Sequence, residues 1–112
     1  MPKGGIMKIN ILGTDYNYVI VKHDDDSRLR GNDGFADFYE KTIGVASDYH
    51  EDEPHATRGL DMYRAKVKRH EIAHAFLFES GMEEWAHDEA LIDWIAIQFP
   101  KLLKAFQEVG AV

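Results

Sequence analysis

The chain contains no cysteine. Disulfide bridges and thiolate metal sites are therefore excluded, and the composition suits a reducing compartment. Proline is scarce, with three in 112 residues. No apolar run is long enough to span a bilayer, and the opening Met1-Pro2-Lys3-Gly4-Gly5 leads into only a short apolar stretch. Neither a signal peptide nor a membrane segment is expected. Positive charge is also in short supply: 13 Lys and Arg stand against 20 Asp and Glu, for a formal net charge of -7. No basic cluster is long enough to follow a phosphate backbone, which disfavours nucleic acid as a partner. A soluble cytoplasmic protein is the expectation these absences leave.

What is present argues for a folded chain. Apolar residues make up 45% of it and aromatics 12%, enough for one modest core. The length predicts a single domain over residues 1–112, with residues 1–5 a flexible N-terminus. The first half reads as strands. Residues 6–12 partly alternate apolar and polar, Gly13-Thr14-Asp15 supplies turn chemistry, and residues 16–21 are aromatic and β-branched. Residues 24–33 are polar and predict an exposed loop. Residues 35–39 and 42–47 predict a hairpin around Glu40-Lys41, and the acidic stretch 48–54 predicts another loop.

The second half reads as helix. A first helix is expected from about Thr57, a candidate N-cap, to Glu79, with Ser80-Gly81 as its stop. A second is expected from an Asp88 N-cap, to be kinked or ended by Pro100, with a further helical piece at 101–106. Strands followed by helices predict an α+β domain.

The first helix carries "RHEIAHAF", residues 69–76. At 3.6 residues per turn, Leu60, Tyr63, Val67, His70, Glu71, His74 and Phe78 share one stripe, while Ile72 and Phe76 lie opposite. Residues 72–78 are thus apolar nearly all round and predict a buried segment. Ionisable groups on a buried stripe need compensation, because an unpaired buried polar group costs roughly 1–3 kcal/mol and a bare carboxylate more. Hydrogen-bonded core histidines with Glu71 paired to Arg69 or Lys68 would supply it. A divalent cation would supply it better. Histidines four apart lie one turn apart on one side and can both reach a Zn²⁺ ion, with the glutamate beside it as proton acceptor. This is the HExxH pattern.

A catalytic zinc usually takes three protein ligands. Candidates for the third are Glu89, His87, Asp93, Glu83, Glu84, His50 and His55. Position 80 is Ser, where a metzincin would have a histidine. Glu79 points away from the stripe. An antiparallel second helix could return Glu89 over the metal and set Asp93 to orient a histidine. His87 is the main rival.

RHEIAHAFLFESG followed by DEALIDWIAIQFP resembles the gluzincin branch of HExxH metallopeptidases. The likeness is strongest to minimal zincin-like proteins of phages and mobile elements, and extends more distantly to peptidases that cleave phage-type repressors. Those carry E-x-x-A-N-x-F-A after the HExxH helix; this chain has Glu89, Ile92, Asp93, Ile95 and Ala96 at the corresponding places. The motif-level likeness covers about residues 66–100. It implies a small antiparallel sheet of three or four strands packed on the two C-terminal helices, and Zn²⁺ on His70, His74 and Glu89, with Glu71 as the catalytic base in peptide-bond hydrolysis. The partner would be a peptide or protein substrate. Tyr63, His50 or His55 could steady the oxyanion. Residues 42–47 are the candidate edge strand for an extended substrate, and the acidic loop 48–53 would favour a basic peptide. Trp85 and Trp94 are expected in the core or in interhelical packing. The competing reading is a non-catalytic binding module pinned by its zinc, and beyond that a metal-free helical interaction domain.

Overall fold

The computed structural model describes residues 7–48 and 59–112. The expected flexible residues 1–5, and most of the acidic loop with His50, His55 and Thr57, lie outside the described residues. The element order is β1 (Met7–Ile11), β2 (Thr14–Val21), β3 (Gly34–Asp37), β4 (Thr42–Ala46), α1 (Leu60–Glu79), α2 (Glu83–Ala86) and α3 (Glu89–Glu108). This is the expected α+β arrangement of a sheet followed by two main helices.

The sheet is mixed, with order β1-β2-β4-β3. β1 pairs antiparallel with β2 and β3 antiparallel with β4, but β2 and β4 run parallel. The expectation of a purely antiparallel sheet is corrected at this central pairing. Its cause is composition. β4 reads TIGVA, without a charged residue, and is buried along its whole length. Such a strand needs a neighbour on both sides. β3 reads GFAD and its residues are only half-buried, so it tolerates the edge. The chain therefore drops β3 outside and returns β4 between it and β2. The assignment of residues 42–47 as the edge strand is overturned by the same pairing: the edge beside the helices is β3.

Register puts Ile9, Tyr16, Tyr18, Ile43, Val45, Gly34 and Ala36 on one face. Ile11, Tyr16, Tyr18, Ile43 and Val45 there form the core with Val67 and Ala75 of α1. The opposite face is partly covered by residues 22–33. The polar loop expected there is tighter than its composition suggests, with short 3-10 turns at His23–Asp25 and Ser27–Leu29. Leu29 is fully buried, and the Arg28 guanidinium lies 4.1 Å above the Phe35 ring.

α1 ends where expected. The Gly81 N–H donates to the Phe78 carbonyl at 3.1 Å and the Met82 N–H to the Leu77 carbonyl at 3.0 Å, while Gly81 adopts φ 87°. This is the paired hydrogen bonding of a Schellman stop, which favours glycine at the left-handed residue. Glu79, pointing away from the site as expected, accepts hydrogen bonds from Thr14 Oγ1, Tyr16 Oη and Lys41 Nζ at 3.0, 2.7 and 2.7 Å. It thereby fastens the end of α1 to the sheet. α3 begins at its Asp88 cap, whose carboxylate accepts from the Leu91 N–H at 3.1 Å.

Three expectations about the helices are corrected. Ile72 and Phe76 are exposed, so α1 is not buried all round. Trp85 and Trp94 are also exposed rather than packed between helices. And of the two outcomes expected at Pro100, an end to the helix is excluded, because α3 runs on through residues 101–106 to Glu108. A proline lacks the N–H that would bond the carbonyl four residues earlier, here Ala96, a residue with 0% exposure. That carbonyl instead accepts from Arg69 Nε of α1 at 2.6 Å. The helix survives because the neighbouring helix supplies the missing donor. Among the described residues no helix is long and apolar enough to cross a membrane.

Candidate metal centre

α1 presents His70 and His74 one turn apart, as the spacing requires. The short loop through α2 turns the chain back, so that the first turn of α3 brings Glu89 over both rings. His70 Nε2 lies 3.0 Å from Glu89 Oε1, His74 Nε2 lies 3.3 Å from Glu89 Oε2, and the two Nε2 atoms are 3.2 Å apart. A tetrahedral zinc with bonds of about 2.0–2.1 Å holds its donors about 3.3 Å from one another. The three distances lie close to that value, with a different oxygen of the Glu89 carboxylate facing each ring.

The other ring nitrogens decide what these atoms can do. His74 Nδ1 lies 2.5 Å from the carbonyl of Ala86, which can only accept, so Nδ1 carries the proton. His70 Nδ1 donates to Asp93 Oδ1 at 2.9 Å. Lys66 Nζ stands 3.5 Å from the same oxygen. Burial raises the Asp93 carboxyl, but Lys66 and His70 together outweigh it and hold it below its ordinary value. Each ring so held turns its Nε2 toward the other ring and toward a carboxylate. A single proton can bridge one pair. A dication satisfies all three, and each imidazole already has the hydrogen-bond partner that fixes a ligating ring.

Glu71 stands beside this point. Acceptor atoms of His70, Glu71 and His74 all lie within 4.8 Å of one another, a looser grouping than the one made with Glu89. We therefore take Glu89 as the carboxylate that could complete a ligand set, with Glu71 adjacent to it. The two carboxylates differ in setting: Glu71 is 7% exposed and the Glu89 side chain 69%. Burial, with the Glu89 charge second, pushes Glu71 up to about 8. Among the described residues no ion pair joins it to Arg69 or Lys68, so the alternative in which those cations neutralise it is not what the fold builds. Its room comes from Gly34 on β3. A Cβ there would lie 2.9 Å from Cγ and Oε2 of Glu71 and from Cγ1 of Val67.

These groups line a cleft of about 550 Å³ that runs along the outer edge of β3. Its walls include Phe35, Asp37, Phe38, Tyr39 and His87. Phe38 stacks on Phe78 at 4.3 Å and meets His87 edge-on at 5.5 Å. His87, the rival ligand, is thus on the cleft wall and makes no contact with the converging nitrogens. Tyr63 donates its hydroxyl to Asp33 Oδ2. It faces a smaller cavity of about 190 Å³ beside Lys66 and Asp93, not the main cleft. Glu83 and Glu84 are exposed on α2 and stay outside the cluster. His50 and His55 lie outside the described residues.

Sequence reasoning did not find Gly34, the Ala86 carbonyl, Lys66 or Phe38. A glycine in an otherwise apolar strand was the available signal for the first; the others depend on chain return. Comparison with protein-family models, with curated proteins and with solved structures finds no match, so the reading of the site rests on its geometry.

Proposed function

We propose that the chain is a small zinc-dependent peptidase of gluzincin type, with His70, His74 and Glu89 holding the metal and Glu71 as the base. The observation that carries this is the convergence of two imidazole nitrogens and a carboxylate at 3.0–3.3 Å on the floor of an open cleft. Zinc at that point would supply Lewis acidity to a water and to a substrate carbonyl. The remaining work falls to the chain. Glu71 accepts the proton of the attacking water and returns it to the leaving amine. Asp93 and the Ala86 carbonyl hold the rings with Nε2 forward. The outer edge of β3, unpaired among the described residues, offers main-chain groups to an extended peptide, which would add as a further strand. An open cleft and a mostly exposed Glu89 favour an enzyme over a purely structural metal site, where four protein donors would close the coordination. With no cysteine to oxidise, a cytoplasmic setting suits this reading.

The test is zinc quantification on wild type, Glu89→Ala and Glu71→Gln, each paired with cleavage of a peptide library. We expect one zinc per wild-type chain, loss of it in Glu89→Ala, and retained zinc with hydrolysis down roughly 10²–10⁴-fold in Glu71→Gln. Zinc held at full occupancy without Glu89 would refute the ligand set. Unchanged hydrolysis without the Glu71 carboxylate would remove the base. A zinc-loaded wild type that cleaves nothing in the library would favour the binding module.

A further inference from the structure

The C-terminal half of α3 is a helix without a core of its own. Ile92 and Ala96 are buried, but beyond them Phe99 is 44% exposed, Leu102 42%, Phe106 43% and Val109 78%. These positions are not scattered. Counting from Ile95, the apolar residues at 95, 99, 102, 106 and 109 are spaced four, three, four and three, which is the seam of a coiled coil. Ile92 belongs to the same seam one step earlier, so the exposed stripe continues the one that packs α3 on the domain. Isolated helices shorter than about 12–15 residues are marginal in water. A projecting amphipathic half-helix therefore calls for a covering surface.

We propose that this seam binds a second copy of the chain, α3 against α3, antiparallel about a two-fold axis near Lys104. Such an axis sets Phe99 against Val109 of the other copy and Leu102 against Phe106, each aromatic meeting an aliphatic residue. The charges fit. The chain as a whole carries -7 and would repel its own copy, but after Pro100 there are two lysines, Lys101 and Lys104, against the single acidic side chain Glu108. All three project on the side of α3 away from the seam, and the residues flanking the seam, Gln98, Leu103, Ala105 and Gly110, are uncharged. The stripe therefore lets two acidic chains meet without setting like charges against each other. Its extent sets the strength. The four exposed seam residues offer roughly 400 Å² per copy, so roughly 800 Å² in a pair before the flanking residues are added, near the lower bound of about 1,000 Å² for a specific interface. An area of that size fits a weak, reversible dimer and not an obligate one. This inference is independent of the metal and of any peptidase activity.

Sedimentation equilibrium across 1–500 µM protein tests it, with zinc and with chelator. We expect a monomer–dimer equilibrium in both, weakened roughly 100-fold or more in Leu102→Glu by the buried unpaired charge, with helicity and melting temperature of the monomer maintained. Because the chain has no cysteine, orientation can be read by single substitutions. A mixture of Phe99→Cys and Val109→Cys chains should form the mixed disulfide, and each alone should form little. A wild type that stays monomeric at 500 µM overturns the proposal, as does dimerisation unchanged by both Leu102→Glu and Phe106→Glu. Efficient Phe99→Cys self-linking overturns the antiparallel arrangement.

Discussion

If Arg69 supplies the donor that Pro100 cannot, then the two residues should be energetically coupled although they lie on different helices. The Ala96 carbonyl is shut off from water, since the residue has 0% exposure, and its partner is Arg69 Nε at 2.6 Å. Replacing Arg69 by Met retains the aliphatic stem but leaves that carbonyl without a donor. A hydrogen bond from a charged group contributes about 1.5–3 kcal/mol, and an orphaned buried acceptor costs about 1–3 kcal/mol. We expect Arg69→Met to destabilise by about 2 kcal/mol. In a Pro100→Ala background the new N–H can bond Ala96 through the ordinary helical ladder. There Arg69→Met should cost only about 0.5 kcal/mol, giving a coupling of about 1.5 kcal/mol.

Urea denaturation of the wild type, both single variants and the double variant measures this directly. With a slope of about 1–1.5 kcal/mol/M for a domain of this size, the coupling amounts to a midpoint difference of about 1 M. Slopes must agree among the four proteins for the cycle to be read as stability. Equal costs of Arg69→Met in the two backgrounds would refute the reasoning. The same cycle reaches the metal site. Arg69 holds α3 within one turn of Asp93 and two of Glu89, so Arg69→Met should weaken zinc binding and Pro100→Ala should partly restore it.

Three further outcomes are expected. Glu79 is held below the ordinary carboxylate range by its bonds to Lys41, Tyr16 and Thr14, against the opposing effect of burial; because its folded value is depressed, its contribution is present above the unfolded value of about 4.3 and is lost as pH falls through the folded one. Glu79→Gln should therefore lose about 1–2 kcal/mol at pH 7 and show a shallower acid decline than wild type, and parallel stability curves down to pH 3 would contradict this. Gly34→Ala forces a Cβ to within 2.9 Å of Glu71, so it should destabilise by about 1–3 kcal/mol and depress hydrolysis more than zinc affinity; a crystal structure with Glu71 undisplaced would count against the fit. Asp93→Ala should lower zinc affinity about 10–100-fold in chelator competition, since His70 loses the group that sets its tautomer, and an unchanged affinity would mean that Asp93 orients nothing.

The candidate site was legible because its parts are fixed by local periods. Two histidines at i and i+4 must share a helix side, and Glu89 sits in the first turn after the cap Asp88, so a short return connection brings it over them. The central parallel pairing was less legible, because strand order depends on pairings between distant residues and both β3 and β4 show strand-like composition. A clue was nevertheless present: TIGVA lacks charge where GFAD ends in Asp37, and the uncharged strand took the centre. Residue type misled at Trp85 and Trp94, where apolar surface was assumed to mean burial. Pro100 misled for a different reason. The rule that proline ends a helix assumes that the freed carbonyl finds no other donor, and Arg69, the residue immediately before the histidine motif, provides one. From the sequence the same arginine is a candidate counter-ion for Glu71. Its use on Ala96 ties α1 to α3 two residues before Glu71, which, among the described residues, it does not pair with.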